Sequence, residues 1–194
     1  MERELKFLLS ASDYEALRSF AGPSATQLEQ HNHYFDSRER VLRDHAGASL
    51  RIRGEAPPWA WELTLKVGTR VDQGYFEAHE WNEALAEDQA HALVEGGAAW
   101  PWESEPLRHF ERLFGQRQLV RLGSVENVRI QVPLFGDEVA ELDKTRFPDG
   151  SVDYELEIET EDPRAVRGFL SERGWDFPNQ SKTKFRRFLE RFNP

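Results

Sequence analysis

Apolar and polar residues alternate along much of this chain, and short stretches with helical spacing interrupt the alternation. Residues 1–8 alternate and predict a strand. Ser12-Asp13-Tyr14-Glu15 has the form of a capping box, and Leu17, Phe20 and Ala21 follow at helical spacing, so a helix is expected next. Residues 27–36, ending in Tyr34-Phe35-Asp36, read as a second strand. Alternation returns in Leu50-Arg51-Ile52-Arg53, in Trp61 to Lys66 beyond Pro57-Pro58, and in residues 74–83. Residues 86–95 read as a helix stopped by Gly96-Gly97. A further helix starts at Ser104 with Pro106 in its first turn, carries Leu107, Phe110, Leu113 and Phe114 on one side, and ends at Gly115. Residues 117–122 and 126–134 return to strand, and residues 137–147 and 151–160 form a hairpin around Pro148-Asp149-Gly150. Asp162-Pro163 opens a helix bearing Val166, Phe169 and Leu170 and stopped by Gly174. The tail 181–192 is basic and aromatic and fits strand or helix. The pattern predicts about eight strands and three or four helices, in one domain over residues 1–194 with a helical insertion at about 84–116.

The polar faces of these strands are unusual. Glu2, Glu4 and Lys6 fall two apart, as do Glu155, Glu157 and Glu159, Arg51 and Arg53, Glu62, Thr64 and Lys66, and Arg129 and Gln131. Residues two apart in a strand share a face, so each strand has one charged and one apolar face. Any half-exposed antiparallel sheet shows such alternation. A solvated face, however, usually mixes Thr, Ser, Gln and Lys, whereas here whole faces are carboxylate or arginine. The amphipathic helices also need an apolar surface to cover. If they cover the outside of a curled sheet, the charges point inward and the barrel has a polar lumen. The expected fold is therefore α+β: a closed eight-stranded antiparallel β-tunnel with helices packed outside.

Charge sharpens this picture. The chain carries 35 acids and 25 bases, a net −10, and should repel nucleic acid unless its bases are gathered together. A lumen would gather them. Arginine and lysine clamp polyanions, and clustered carboxylates hold hard divalent cations, so the two sets together point to a polyphosphate–metal complex. With no cysteine, disulfides and thiolate metal sites are excluded, and a reducing cytoplasm is compatible. No apolar run approaches the ~20 residues needed to span a membrane, and MERELKFLL places charges where a signal peptide needs an apolar stretch.

Glu2-Arg3-Glu4-Leu5-Lys6 matches the ExExK signature of the CYTH superfamily, the triphosphate tunnel metalloenzymes. It is followed in family order by Tyr34-Phe35-Asp36, Leu50-Arg51-Ile52-Arg53, Leu65-Lys66, Glu77 with Glu80, Arg129, Leu142-Asp143, Glu155-Leu156-Glu157 and Lys184-Phe185. The chain resembles that superfamily over nearly its whole length, and the tail is most similar to the thiamine triphosphatase branch. The resemblance implies that Lys6, Arg51, Arg53, Lys66, Arg129 and Lys184 hold triphosphate, with Lys184 preferred over its neighbour Lys182. It implies that Glu2, Glu4, Glu155 and Glu157 hold Mg²⁺ or Mn²⁺, and that Glu80, Asp143 and Glu159 are further tunnel residues. Glu4, Arg53 and Lys184 are the expected catalytic set.

One departure matters. In animal thiamine triphosphatases the tunnel lysine directly follows Trp-Glu-Leu; here Trp61-Glu62-Leu63 is followed by Thr64-Leu65-Lys66. That shift moves the lysine ~7 Å along the strand, so thiamine specificity does not carry over. The expected activity is metal-dependent hydrolysis of inorganic triphosphate or of an organic one such as thiamine triphosphate, by a monomer or homodimer. Its rivals are a class IV-type adenylate cyclase and a non-catalytic polyphosphate-binding module. His31 and His33 share a face but have no third ligand nearby, Trp100-Pro101-Trp102 reads as a packed loop, and Arg186 and Arg187 fit either a tunnel mouth or solvent.

Overall fold

A computed structural model describes residues 1–45, 47–115 and 118–192, with Thr69 described by its backbone alone. In chain order the elements are β1 (Glu2–Leu9), α1 (Ala11–Ala21), β2 (Gln27–Ser37), α2 (Val41–Asp44), β3 (Ala48–Ala56), β4 (Ala60–Asp72), β5 (Tyr75–Leu85), α3 (Glu87–Glu95), α4 (Glu105–Phe114), β6 (Leu119–Phe135), β7 (Glu138–Arg146), β8 (Val152–Glu159), α5 (Pro163–Glu172) and α6 (Lys184–Arg191). The strands close into one antiparallel barrel in the order β1-β5-β4-β3-β2-β6-β7-β8. Closure leaves no unpaired sheet edge.

The register decides which way each charge points. Lys6 lies opposite Glu157, Lys66 opposite Glu80, Arg53 opposite Asn32, and Arg129 opposite Asp143. Opposed residues share a face, so these charges line one inner surface. The alternate residues point outward and are buried by helices. Leu5, Phe7, Ile130, Val132, Leu142, Leu156 and Ile158 pack with Tyr14 and Leu17 of α1 and Val166 and Leu170 of α5. Leu50, Ile52, Leu63 and Leu65 pack with Ala90 and Leu93 of α3 and Leu107 and Phe110 of α4, whereas Phe185 and Phe188 of α6 meet Tyr34 and Gly123 on the inner face. The apolar core is thus a shell outside the barrel wall, in two halves. Each such side chain, fully buried, contributes ~1.5–3 kcal/mol. No helix among the described residues is long and apolar enough to cross a membrane.

The structure departs from the sequence pattern in four places. The first helix is capped by Ser10, not Ser12: Ser10 Oγ accepts from Asp13 N at 3.1 Å, and Asp13 Oδ2 accepts from Ser10 N at 3.1 Å. The capping box therefore starts two residues earlier than expected. The two strands expected at 117–122 and 126–134 are one, β6; residue 117 lies outside the described residues. Gly123 interrupts the apolar pattern without breaking the strand. A Cβ there would come within 3.0 Å of the Phe188 ring, so the glycine makes room for a helix. The short α2 was not expected; Asp36 organises it, accepting from Leu42 N at 2.9 Å and Arg43 N at 3.0 Å. Finally, the ambiguous tail forms α6, capped by Thr183, which accepts from Arg186 N at 3.1 Å.

Candidate functional site

The inward faces enclose a cavity of about 180 Å³. Its wall includes Glu2, Glu4 and Lys6 of β1, Arg51 and Arg53 of β3, Lys66 of β4, Glu80 of β5, Arg129 of β6, Glu141 of β7 and Glu157 and Glu159 of β8. Strands β1, β3 and β8 supply their charges at alternate positions, so the period-two charged pattern in the sequence is part of the wall itself. From α6, Lys184 reaches in beside Thr183 and Phe185. Arg187, one turn on, is buried and ion-paired with Asp153 and Glu155 of β8. Tyr34 packs its ring, tilted, 5.0 Å from those of Phe185 and Phe188. Aromatic packing and buried charge together fix α6 against the barrel.

Four of the six bases facing the cavity are neutralised by carboxylates. Lys66 Nζ lies 2.5 Å from Glu2, 2.6 Å from Glu4 and 3.8 Å from Glu80. Lys6 lies 3.1 Å from Glu4 and 2.9 Å from Glu157. Arg129 forks onto Asp143 at 2.8 and 2.7 Å, reaches Glu157 at 2.9 Å and pairs with Glu141. Lys184 lies 2.6 Å from Asp143, 3.6 Å from Glu157 and 3.7 Å from Glu155.

Arg51 and Arg53 differ. No carboxylate among the described residues lies within ion-pair reach of either. Arg53 donates through Nε to the neutral Asn32 Oδ1 at 2.9 Å, and Arg51 Nε is buried without a hydrogen bond. Burial, and then the nearby charges of Arg51 and Arg129, pull Arg53 down to about 10, below the ordinary guanidinium range. Glu80 acts on Arg51, and Asp143 on Arg53, only from beyond ion-pair reach, and two guanidiniums without a direct carboxylate contact leave a place for an anion.

The opposite imbalance lies on the β1 side. Glu2, Glu4 and Glu80 surround the single ammonium of Lys66. Burial, and then repulsion from Glu4 and Glu80, push Glu2 up to about 7 despite Lys66. Burial opposes charge on Glu4 too, but Lys6 and Lys66 together hold it below the ordinary carboxylate range. On Glu157, Lys184, Lys6 and Arg129 overcome burial and hold its carboxyl far down.

The expected site residues divide by position. Glu2, Glu4, Lys6, Arg51, Arg53, Lys66, Glu80, Arg129, Glu157, Glu159 and Lys184 all line the cavity, Glu159 at its exposed rim. Asp143 and Glu155 point inward but sit beneath that surface, 0% and 1% exposed. Asp143 holds Arg129 and Lys184, and Glu155 is held by Arg187. Lys182 lies outside the lumen, half-exposed and 2.8 Å from Glu190, because α6 begins two residues beyond it and turns only Lys184 inward. Trp61 faces the outer surface, as do Leu63 and Leu65, and its ring covers Gly54 and stacks near Trp59 and His33. It cannot meet a ligand in the lumen. Trp100 packs edge-on against Phe35 at 4.9 Å. Sequence reasoning missed Glu141, whose signal was available two residues before Asp143. It also missed Asn32, which carries no charge to stand out.

The donor chemistry suits a hard divalent cation. Three carboxylates gather about the ammonium of Lys66, and burial with repulsion from Glu4 and Glu80 leaves Glu2 among them short of positive charge. The lysines still hold them apart, and among the described residues no three carboxylates or imidazoles are ready-arranged as a metal cage.

The CYTH domain family profile matches residues 1–188. Among solved structures, the chain is similar to a protein from Hippeastrum described as a candidate adenylyl cyclase with a dominant triphosphatase activity. The two share 27% identity with a TM-score of 0.83, over 98% of this chain and 96% of that one. It is also similar in fold to a candidate adenylate cyclase from Bacillus halodurans, with 22% identity, TM-score 0.73 and coverage of 97% and 99%. A protein from Pyrococcus horikoshii OT3 shares the fold at 18% identity and TM-score 0.57, with 100% of both chains covered. CYTH tunnels bind triphosphate substrates and are generally metal-dependent. The match runs from the first glutamate of the lumen wall to Phe188 of α6, and by it this chain belongs to the CYTH domain family.

Proposed function

We propose that this protein is a metal-dependent triphosphatase acting on inorganic triphosphate or on an organic triphosphate such as thiamine triphosphate. One observation carries the reading: among the described residues Arg51 and Arg53 have no carboxylate within ion-pair reach, while the other four bases lining the lumen are ion-paired. A chain of phosphates supplies the missing negative charge. The cavity volume, about 180 Å³, is below the roughly 300–1,000 Å³ of pockets that engulf a drug-sized ligand. It suits the phosphate chain, leaving any attached group at the mouth.

Arg51 and Arg53 take the phosphate oxygens, bidentately where geometry allows. Lys6, Arg129 and Lys184 share their charge between the wall carboxylates and the bound anion, and stabilise charge on the transferring phosphoryl and the departing diphosphate. Glu2, Glu4 and Glu157, with Glu80 beside them, are the residues that would hold Mg²⁺ or Mn²⁺. Bound there, the ion supplies Lewis-acid charge to phosphate oxygens. Glu155, committed to Arg187, is the least available of the four carboxylates expected to bind metal. Water attacks the terminal phosphorus in line, diphosphate leaves, and Glu141, whose carboxyl burial raises above its ordinary range, accepts the water's proton. No covalent intermediate is needed.

The similarity to the Hippeastrum protein, described as having dominant triphosphatase activity, favours hydrolysis over cyclisation of ATP. Arg53→Ala should lose about 10²–10³ in kcat/KM toward every triphosphate alike, because it removes a shared phosphate contact. EDTA should abolish turnover, and Mg²⁺ or Mn²⁺ should restore it. An Arg53→Ala protein as active as wild type, or full turnover in EDTA, would contradict the proposal.

A further inference from the structure

Arg53 is held by an amide where its fellow arginine has a carboxylate. Arg129 is clamped by Asp143, its cross-strand neighbour. Arg53 has Asn32 in the equivalent place, directly opposite on β2, and donates Nε to Asn32 Oδ1 at 2.9 Å. That bond uses one edge of the guanidinium. Its terminal nitrogens make no hydrogen bond among the described residues and belong to the cavity that Arg53 lines.

Asn32 is an odd choice for packing alone. It is 1% exposed, and its Nδ2 has no hydrogen-bond partner. A buried, unsatisfied donor is destabilising, and an apolar residue of similar size would avoid the penalty. The amide two residues earlier on the same face, Gln30, is fully engaged: it donates to Glu55 at 2.7 Å and accepts from Asn127 at 2.9 Å. The oxygen of Asn32 serves Arg53, and its nitrogen serves nothing within the protein. An aspartate would hold Arg53 as firmly but would cancel its charge, as Asp143 does for Arg129.

Building on the reading that Arg53 contacts phosphate, we infer that Asn32 is a positioning residue. It aims the Arg53 guanidinium into the lumen while leaving its positive charge free for the substrate.

The test is a double-mutant cycle read by calorimetric binding of inorganic triphosphate in EDTA, where turnover is expected to stop, with melting curves to check folding. Asn32→Asp should weaken binding about 10- to 100-fold, the worth of one charge-assisted contact, while leaving Tm unchanged or raised. In an Arg53→Ala background the same substitution should add little, because the two residues act through one contact. Asn32→Leu, which removes the acceptor without adding charge, serves as the second probe and should also weaken binding only when Arg53 is present. If Arg53→Ala weakens binding but Asn32→Asp or Asn32→Leu does not, or if their losses add in full to that of Arg53→Ala, the positioning role is wrong and the phosphate contact stands. If Arg53→Ala binds like wild type, the contact on which the role rests is itself wrong.

Discussion

At the scale of single residues, the lumen is a set of charge balances left slightly open on purpose-built sides. Glu2 shows this on the acid side. Its carboxyl is raised to about 7 from an ordinary 4.5, chiefly by burial and then by Glu4 and Glu80. The sign follows from linkage: the folded state holds the proton more tightly than the unfolded one. Glu2 therefore favours folding most below about 4.5, and that contribution is lost as pH rises through about 7. Glu2→Gln carries no charge at any pH. It should raise Tm at pH 8 by ~2–8 °C and change it little at pH 5, which thermal melts at the two pH values will read. A lower Tm at pH 8 would mean that Lys66 needs Glu2 more than Glu2 suffers from its neighbours. The two tail lysines give a second residue-scale contrast. Lys184→Ala should lose ~10²-fold in kcat/KM. Lys182→Ala removes only a surface pair with Glu190 and should stay within about twofold. Equal losses would place Lys182 in the site after all.

At the scale of elements, α6 links the site to the fold. It brings Lys184 to the cavity, seats Phe188 against Gly123, and is held by Arg187 on Asp153 and Glu155. Arg187→Ala would leave the buried Glu155 facing Lys184 alone, and should destabilise the protein by about 3–5 kcal/mol in urea unfolding. A change under ~1 kcal/mol would mean that α6 is held by its aromatics. This element was the least legible in the sequence. Lys184-Phe185-Arg186-Arg187-Phe188 alternates loosely like a strand and also repeats its Phe at helical spacing, and only packing against Tyr34 and Gly123 decides between the two. The β-strands were legible because each has an unmixed charged face. Helices α3, α4 and α5 were legible from caps and stops, and α1 from its apolar spacing, its cap lying two residues earlier than expected. The sequence pattern broke β6 at Gly123 because a glycine that yields space to a distant ring looks the same, locally, as a turn.

At the scale of the whole molecule, an acidic chain is built to hold an anion. The net charge is −10, but the fold gathers bases in its lumen and, among the described residues, sets carboxylates in ion-pair reach of four of the six. That arrangement was legible once the period-two faces were taken together, since helices covering one side of a curled sheet must turn the other side inward. The commitment of Glu155 to Arg187 was not legible, and the preference for Lys184 over Lys182 came from the family resemblance and not from the charge pattern. Both depend on where α6 starts and how it is oriented, which the spacing of the charges does not fix. Nor was the role of Asn32 legible, because a neutral amide matters only through what it faces. The central claim is hydrolysis of a triphosphate inside this lumen. The direct measurement is steady-state turnover of inorganic triphosphate and of ATP with Mg²⁺ or Mn²⁺, following phosphate and cyclic AMP together. The account predicts phosphate release with a higher kcat/KM for inorganic triphosphate than for ATP and no cyclic AMP; a higher kcat/KM for ATP, or accumulation of cyclic AMP with diphosphate, would contradict it.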